Sequence, residues 1–422
     1  MKNILNLVYD IWDGDTPIFN GKRHYPNKNF WDFEDFIKSY INSFSNGDES
    51  GKIMIKNHKI KDVYNKPNEK FYYVICHGSI NIDEIIKDNL ILSEEIIECL
   101  KICKNFNLIF FSHHESDNEN GFAVLNSIDV SPKQIYVINN NYKLNNYVIN
   151  YKSEINVYSI MYLPIVVSLS LKKNDIPFNT HEKDKFFMCF NRGPKMHRCG
   201  ILIYMLKNKL LDDTNWSFIP LYSKKYENSN YLSLFDNDEL ETLHNEIEYI
   251  NNLKIKISDT EVNDLEFDDN NEITIINPVY VNRLYPPDIP HNYKNAYVNI
   301  VTESQFMDLG NVVHITEKSF KPFFYYQFPI ILATHHHIKS LKEKYDFDFF
   351  DDIINHNYDN EPDQKKRFKM VTKELKRLHE NKENLIDFYL KNLQRFEDNR
   401  KKVIQIGKNK SDYFFIKNLL NQ

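Results

Sequence analysis

Three short stretches of this chain stand out, and the first carries residue types suited to a charged, hydroxylated ligand. The first spans residues 296–333. It reads AYVNIVTES and, after a loop, HITEKSFKPFFYYQFPIILA. The apolar run predicts a strand that ends at Thr302, Glu303 and Ser304. Thr316 is placed to cap a helix, with Glu317 and Lys318 in its first turn. A helix start offers unpaired N–H groups and a positive dipole end, and Lys318 adds a full charge, so the pair suits a diphosphate. Glu303 and Glu317 suit ribose hydroxyls. The plainer alternative is a capped helix with a solvated lysine. The second stretch, 186–206, reads FFMCFNRGPKMHRCGILIYML. Asn191 and Arg192 stand at a strand end, and Arg198 stands in the helix that follows. The third, FFSHHES, closes a strand with His113, His114 and Glu115.

Other motifs are weaker. Glycine occurs only 10 times, with no G-x-G-x-x-G and no P-loop. Any bound nucleotide must therefore be held by side chains and a helix start. Asp13–Gly14–Asp15 forms a D-x-D, but an Asp-rich chain produces such spacings by chance, and a turn explains it better than a metal site. His335, His336 and His337 are adjacent, and neighbours on one turn rarely converge on one metal. Donor contact or plain surface fits them better.

The elements that must position these residues alternate. Strands are expected at Ile4–Tyr9, Phe71–Cys76, Leu108–Ser112, Ile135–Asn139 and Val157–Met161, with helices between them at Phe33–Phe44 and Ile82–Cys103. A polar stretch, 172–185, reads as a linker. The second half repeats the alternation. It has strands at Phe186–Phe190, Trp216–Tyr222, Ala296–Val301 and Pro329–Ala333. Helices are expected at Met196–Leu211, at about Asp236–Asn252, from Thr316 and from Ile338. Residues 254–274 read as a variable excursion. Beyond Pro362, Phe368, Val371, Leu375, Leu378, Leu385, Phe388 and Leu393 mark an amphipathic helix. Buried runs alternating with helices imply parallel sheets covered on both faces.

The 422 residues suffice for two cores. The net charge of −6 argues against a dedicated nucleic-acid binder, although Lys52, Lys56, Lys59, Lys61, Lys66 and Lys70 fall close together. Five cysteines, an odd and sparse set, suit a reducing compartment. No signal peptide and no membrane span is expected, and the location expected is cytoplasmic.

The pattern of strand–E-S, loop, T-E-K, helix and P-x-I resembles the donor-binding segment of α1,3-fucosyltransferases. It is similar also to related glycosyltransferases of phages and large DNA viruses. The resemblance covers roughly residues 185–368. It implies an α/β fold of GT-B type, two Rossmann-like α/β/α domains facing across a cleft. The acceptor domain would span 1–178, the donor domain 183–360, and a C-terminal helical segment 361–422. It further implies that Arg198 and Lys318 hold the donor diphosphate, and that Glu303, Glu317, Thr316, Asn191 and Arg192 complete the donor site. Glu115 would be the base, with His114 and His113 as rivals because histidine titrates near neutrality. Asp117 stands where those enzymes have proline. The expected activity is inverting, metal-independent sugar transfer. A nucleotide sugar is the co-substrate, no other cofactor is needed, and the acceptor is a glycan or small hydroxylated molecule. Modified bases in DNA are the less favoured acceptor. A non-catalytic glycan- or sugar-nucleotide-binding module is the rival class.

Overall fold

The computed structural model describes residues 3–9, 12–13, 16–17, 33, 36–45, 52–76, 92–112, 119–126, 128–160, 182–191, 194–218, 230–252, 255–257, 260–262, 266–267, 273–274, 295–307 and 312–421. The chain forms two units. One comprises Met1–Leu163, Leu309–His314 and Asn409–Gln422; the other comprises Pro164–Asp308 and Ile315–Lys408.

The first unit is built on a parallel sheet. Its strands are β1 (Asn3–Val8), β2 (Ile53–His58), β3 (Phe71–Cys76), β4 (Phe106–Phe111), β5 (Ile135–Asn139) and β6 (Asn156–Ser159). Their order is β2-β1-β3-β4-β5-β6, and all adjacent pairs run parallel. Every residue of FNLIFF in β4 and IYVIN in β5 is buried, as expected of strands covered on both faces. The sequence did not mark β2. It lies at the sheet edge, and its Lys56 and Asn57 are exposed, which hides its apolar residues. The helix expected at Phe33–Phe44 is instead a π-helical turn, Phe36–Tyr40, followed by a 3-10 turn, Ile41–Ser45. The final helix, Ser411–Asn421, belongs to this unit. The Tyr72 hydroxyl donates to the Leu419 carbonyl at 2.8 Å. Phe415 stacks on Tyr158 with 3.7 Å between ring centroids.

The second unit carries β7 (Lys185–Phe190), β8 (Thr214–Phe218), β9 (Ile255–Ile257), β10 (Thr260–Val262), β11 (Ala296–Thr302) and β12 (Phe328–Leu332). The order is β10-β9-β8-β7-β11-β12. The four strands from β8 to β12 are mutually parallel, whereas β9 and β10 add antiparallel at the edge. Within the supposed excursion at 254–274, Ile255–Ile257 and Thr260–Val262 thus extend the sheet, and Glu266–Phe267 pairs with Ile273–Thr274 as a separate two-stranded sheet. Chain order runs outward from β7 to β8, then reverses to β11 on the other side of β7. Such a reversal opens a crevice at the carboxyl ends of the two flanking strands, where open α/β sheets bind ligands. The amphipathic pattern beyond Pro362 becomes three helices, Gln364–Glu380, Lys382–Lys391 and Leu393–Ile406. Phe368, Val371, Leu375, Leu378 and Leu385 are buried as the spacing requires. Among the described residues, no helix is long and apolar enough to cross a membrane.

Candidate functional site

The reversal point of the second sheet gathers most of the residues that the sequence singled out. Asn191 follows β7, and Glu303 follows β11 as its backbone N–H continues the pairing onto the Leu332 carbonyl at 3.0 Å. The two strand ends are tied together: Thr302 Oγ1 donates to Asn191 Oδ1 at 2.5 Å. The helix Met196–Lys207 starts beside them, and its N-cap residue, Lys195, makes no side-chain cap bond. Its first turn brings His197 and Arg198 under the crevice. His197 bonds the Glu303 carbonyl through Nε2 at 2.9 Å and stacks on Phe306. Burial, with Arg198 adding to it, holds His197 well below the ordinary histidine value. The ring is therefore neutral, and its Nε2–H is the donor. The Arg198 guanidinium is buried and lies 3.4 and 3.5 Å from the carbonyls of Thr302 and Glu303. Burial lowers its pKa, against the pull of Glu303 and Glu317, yet a guanidinium stays charged at any working pH. Lys195 donates to the Ser304 carbonyl at 2.6 Å.

Thr316 caps the next turn, as expected, accepting from the Lys318 N–H. The helix expected there is not a helix of useful length. A four-residue 3-10 turn, Glu317–Phe320, runs into a four-residue α-turn, Lys321–Phe324. Pro322 and the packed rings of Phe323 and Phe324 make up most of that α-turn, which ends at once, so little dipole accumulates at Thr316. The longer helix starting at Met196 supplies that field instead.

Glu303 is wholly buried, and both its oxygens accept hydrogen bonds. Oε1 takes the Ser319 hydroxyl at 2.5 Å. Oε2 takes the Thr316 hydroxyl at 2.6 Å and the Ser304 N–H at 3.2 Å. Burial alone would raise this carboxyl. The Lys318 ammonium, the His337 ring and the two hydroxyls outweigh it and bring Glu303 down to about 2. Burial likewise opposes ionisation of Glu317, but Lys318 and Lys321 prevail and lower it. Lys318 sits 3.1 Å from Glu317 Oε1 and 3.1 Å from Thr316 Oγ1, and it is about a third exposed at 29%. Lys195, Arg198, Lys318 and Lys321 thus stand against the carboxylates of Glu303 and Glu317. The surplus is positive and suits an anion.

Two members of this network, Ser319 and His337, escaped the sequence reading. Ser319 Oγ lies 2.8 Å from His337 Nε2, and both residues are buried. The signal was present in the serine directly after T-E-K and in the last histidine of the HHH run, which had been assigned to donor contact or surface. His113, His114 and Glu115 lie outside the described residues, as does Arg192. The strand leading to Glu115 is in place: Ser112, just beyond β4, is buried and donates its N–H to the Ile138 carbonyl. Asp13 lies in a two-residue strand, Trp12–Asp13, and Asp15 is outside the described residues. Among the described residues, no three His, Cys, Asp or Glu side chains are grouped to hold a metal. Compared with protein-family models, curated proteins and solved structures, the chain finds no match.

Proposed function

We propose that this chain is an inverting, metal-independent glycosyltransferase of the GT-B type, which uses a nucleotide sugar and a hydroxylated acceptor. One observation carries the reading. Arg198, Lys318, Thr316 and the start of Met196–Lys207 converge at the sheet's reversal point, in a chain that lacks a glycine-rich phosphate loop. They occupy the two segments that resemble the donor site of α1,3-fucosyltransferases. In this reading the acceptor hydroxyl attacks the anomeric carbon as the bond to the diphosphate oxygen breaks on the opposite face. The hydroxyl proton passes to Glu115. Arg198 and Lys318 stabilise the charge that develops on the leaving diphosphate, a contribution of roughly 2.7–4 kcal/mol per strong donor. A single displacement inverts the anomeric centre.

The acceptor assignment draws on the first sheet. Its carboxyl edge bears Ser112, Asn139 and Ser159, neutral residues of which the first two are buried. The lysines of 52–70 do not gather at one edge. Lys52 and Lys70 directly precede β2 and β3, whereas Lys59 follows β2 at the opposite end. Polyanion binding draws most of its strength from grouped cations, so a glycan or small hydroxylated acceptor is the better fit than DNA.

The mechanism is tested by Glu115→Gln. The amide keeps shape but takes no proton, and turnover should fall by about 10²–10⁴ with nucleotide affinity nearly unchanged. Undiminished turnover would move the base to His113, His114 or another acid.

A further inference from the structure

The hydrogen bonds around Glu303 have only one consistent direction. Glu303 is a carboxylate and can only accept. Ser319 owns a single hydroxyl proton, and its 2.5 Å contact with Glu303 Oε1 requires that proton. His337 Nε2, at 2.8 Å, must therefore carry a hydrogen and donate to Ser319 Oγ. On the other side, Thr316 spends its proton on Glu303 Oε2. Its oxygen is then left as an acceptor, and it takes the Lys318 ammonium at 3.1 Å and the Lys318 backbone N–H at 3.4 Å. His337 belongs to the helix after β12, Ser319 and Lys318 to the turn before it, and Glu303 to the end of β11. The chain of bonds thus ties three elements to one partly exposed cation.

We propose that His337 and Ser319 are positioning residues that, through Glu303 and Thr316, set the Lys318 ammonium for an anionic ligand. The proposal rests on the reading of this site as a diphosphate site. Neither residue touches the ligand. The whole array is polarised from His337 and from Lys318 towards the central carboxylate, and a break at one end frees acceptor capacity that competes for the other. Loss of the His337 donor leaves Ser319 Oγ buried with an unfilled acceptor, and the Ser319–Glu303–Thr316 set reorganises around it. Glu317 also holds Lys318, at 3.1 Å, so the effect is a shift in the ammonium's placement and not its release.

Competitive acetylation of lysines in the folded full-length chain, read by mass spectrometry, tests this without any nucleotide. Lys376, 57% exposed on the separate helix Gln364–Glu380, serves as the internal reference. In His337→Leu and in Ser319→Ala the freed acceptor capacity of Glu303 draws the ammonium inward, and Lys318 should react about fivefold more slowly relative to Lys376, the weight of about one hydrogen bond. In His337→Gln, whose amide N–H can replace the Nε2–H donor, the rate should return towards wild type. Far-ultraviolet circular dichroism and a cooperative melt establish that each variant is folded. An unchanged Lys318 rate in folded His337→Leu, or no rescue by His337→Gln, overturns the proposal. Should His337→Leu fail to fold, Ser319→Ala and His337→Gln carry the same comparison. A parallel titration with uridine and guanosine diphosphates separates the two claims. If the acetylation pattern holds and wild type binds neither diphosphate, the positioning chain stands and the diphosphate reading falls. If the diphosphates bind and the acetylation pattern is flat, the reverse follows.

Discussion

Glu303 follows β11 as a wholly buried carboxylate whose two oxygens are both filled by neighbouring donors. Type and position single out Glu303, Thr316 and Lys318, the family resemblance adds Asn191 and Arg198, and the five meet at one crevice. What the spacing did not convey is that Glu303 turns inward, saturated by Thr316, Ser319 and Ser304. Its partners are set by folding of three separate elements, which local sequence does not encode. Lys183 is another buried ionisable group, in the stretch 172–185 whose polarity reads as a linker. Its ammonium donates to the carbonyls of Ala296 and Tyr326 and lies 4.8 Å from the Tyr389 ring centroid. Burial lowers its pKa to about 7, although the ring and carbonyls favour the charged form. The unfolded chain keeps the proton up to about pH 10.4. Between those values the unfolded state binds more protons, so stability from this group rises with pH, with a limiting slope of about 1.4 kcal/mol per unit. Urea unfolding from pH 6.5 to 9.5 should show a steeper rise for wild type than for Lys183→Met. Parallel curves would show that Lys183 stays charged in its cage.

Element types followed from periodicity where runs were long and apolar, as in β4, β5, β11 and β12. They failed where chemistry on the surface broke the pattern, as at β2, or where packing shortened a helix, as after Thr316. The helix Met196–Lys207 shows how closely elements meet around the site. Gly200 lies in its middle, and an added Cβ there would sit 2.7 Å from Leu234 Cδ1 and 3.2 Å from Phe368 Cζ. Both neighbours are buried. Alanine gains about 1 kcal/mol of helix propensity, while overpacking typically costs about 1–3 kcal/mol. Gly200→Ala should therefore lower the melting temperature. A higher value would mean that Leu234 gives way without strain.

At the scale of the molecule, two α/β units were legible from the alternation of runs and helices, but the path of the chain between them was not. Residues 312–314 belong to the first unit, where the Tyr142 N–H donates to the Val313 carbonyl at 3.1 Å. The last helix also returns to the first unit and buries Tyr413, Ile416 and Leu419. Each such side chain contributes about 1.5–3 kcal/mol on burial. A chain ending at Lys408 should lose stability mainly in the first unit, seen as faster proteolysis at sites within 1–163 than within 315–408. Equal rates in the two regions would contradict that division. The central claim, that the reversal point of the second sheet holds a nucleoside diphosphate, is met most directly by titration calorimetry of uridine and guanosine diphosphates. One of them should bind wild type, and Lys318→Ala should weaken it by roughly 1.5–3 kcal/mol, the range for hydrogen bonds to charged groups. Affinity unchanged in Lys318→Ala, or no binding of either to wild type, would contradict it.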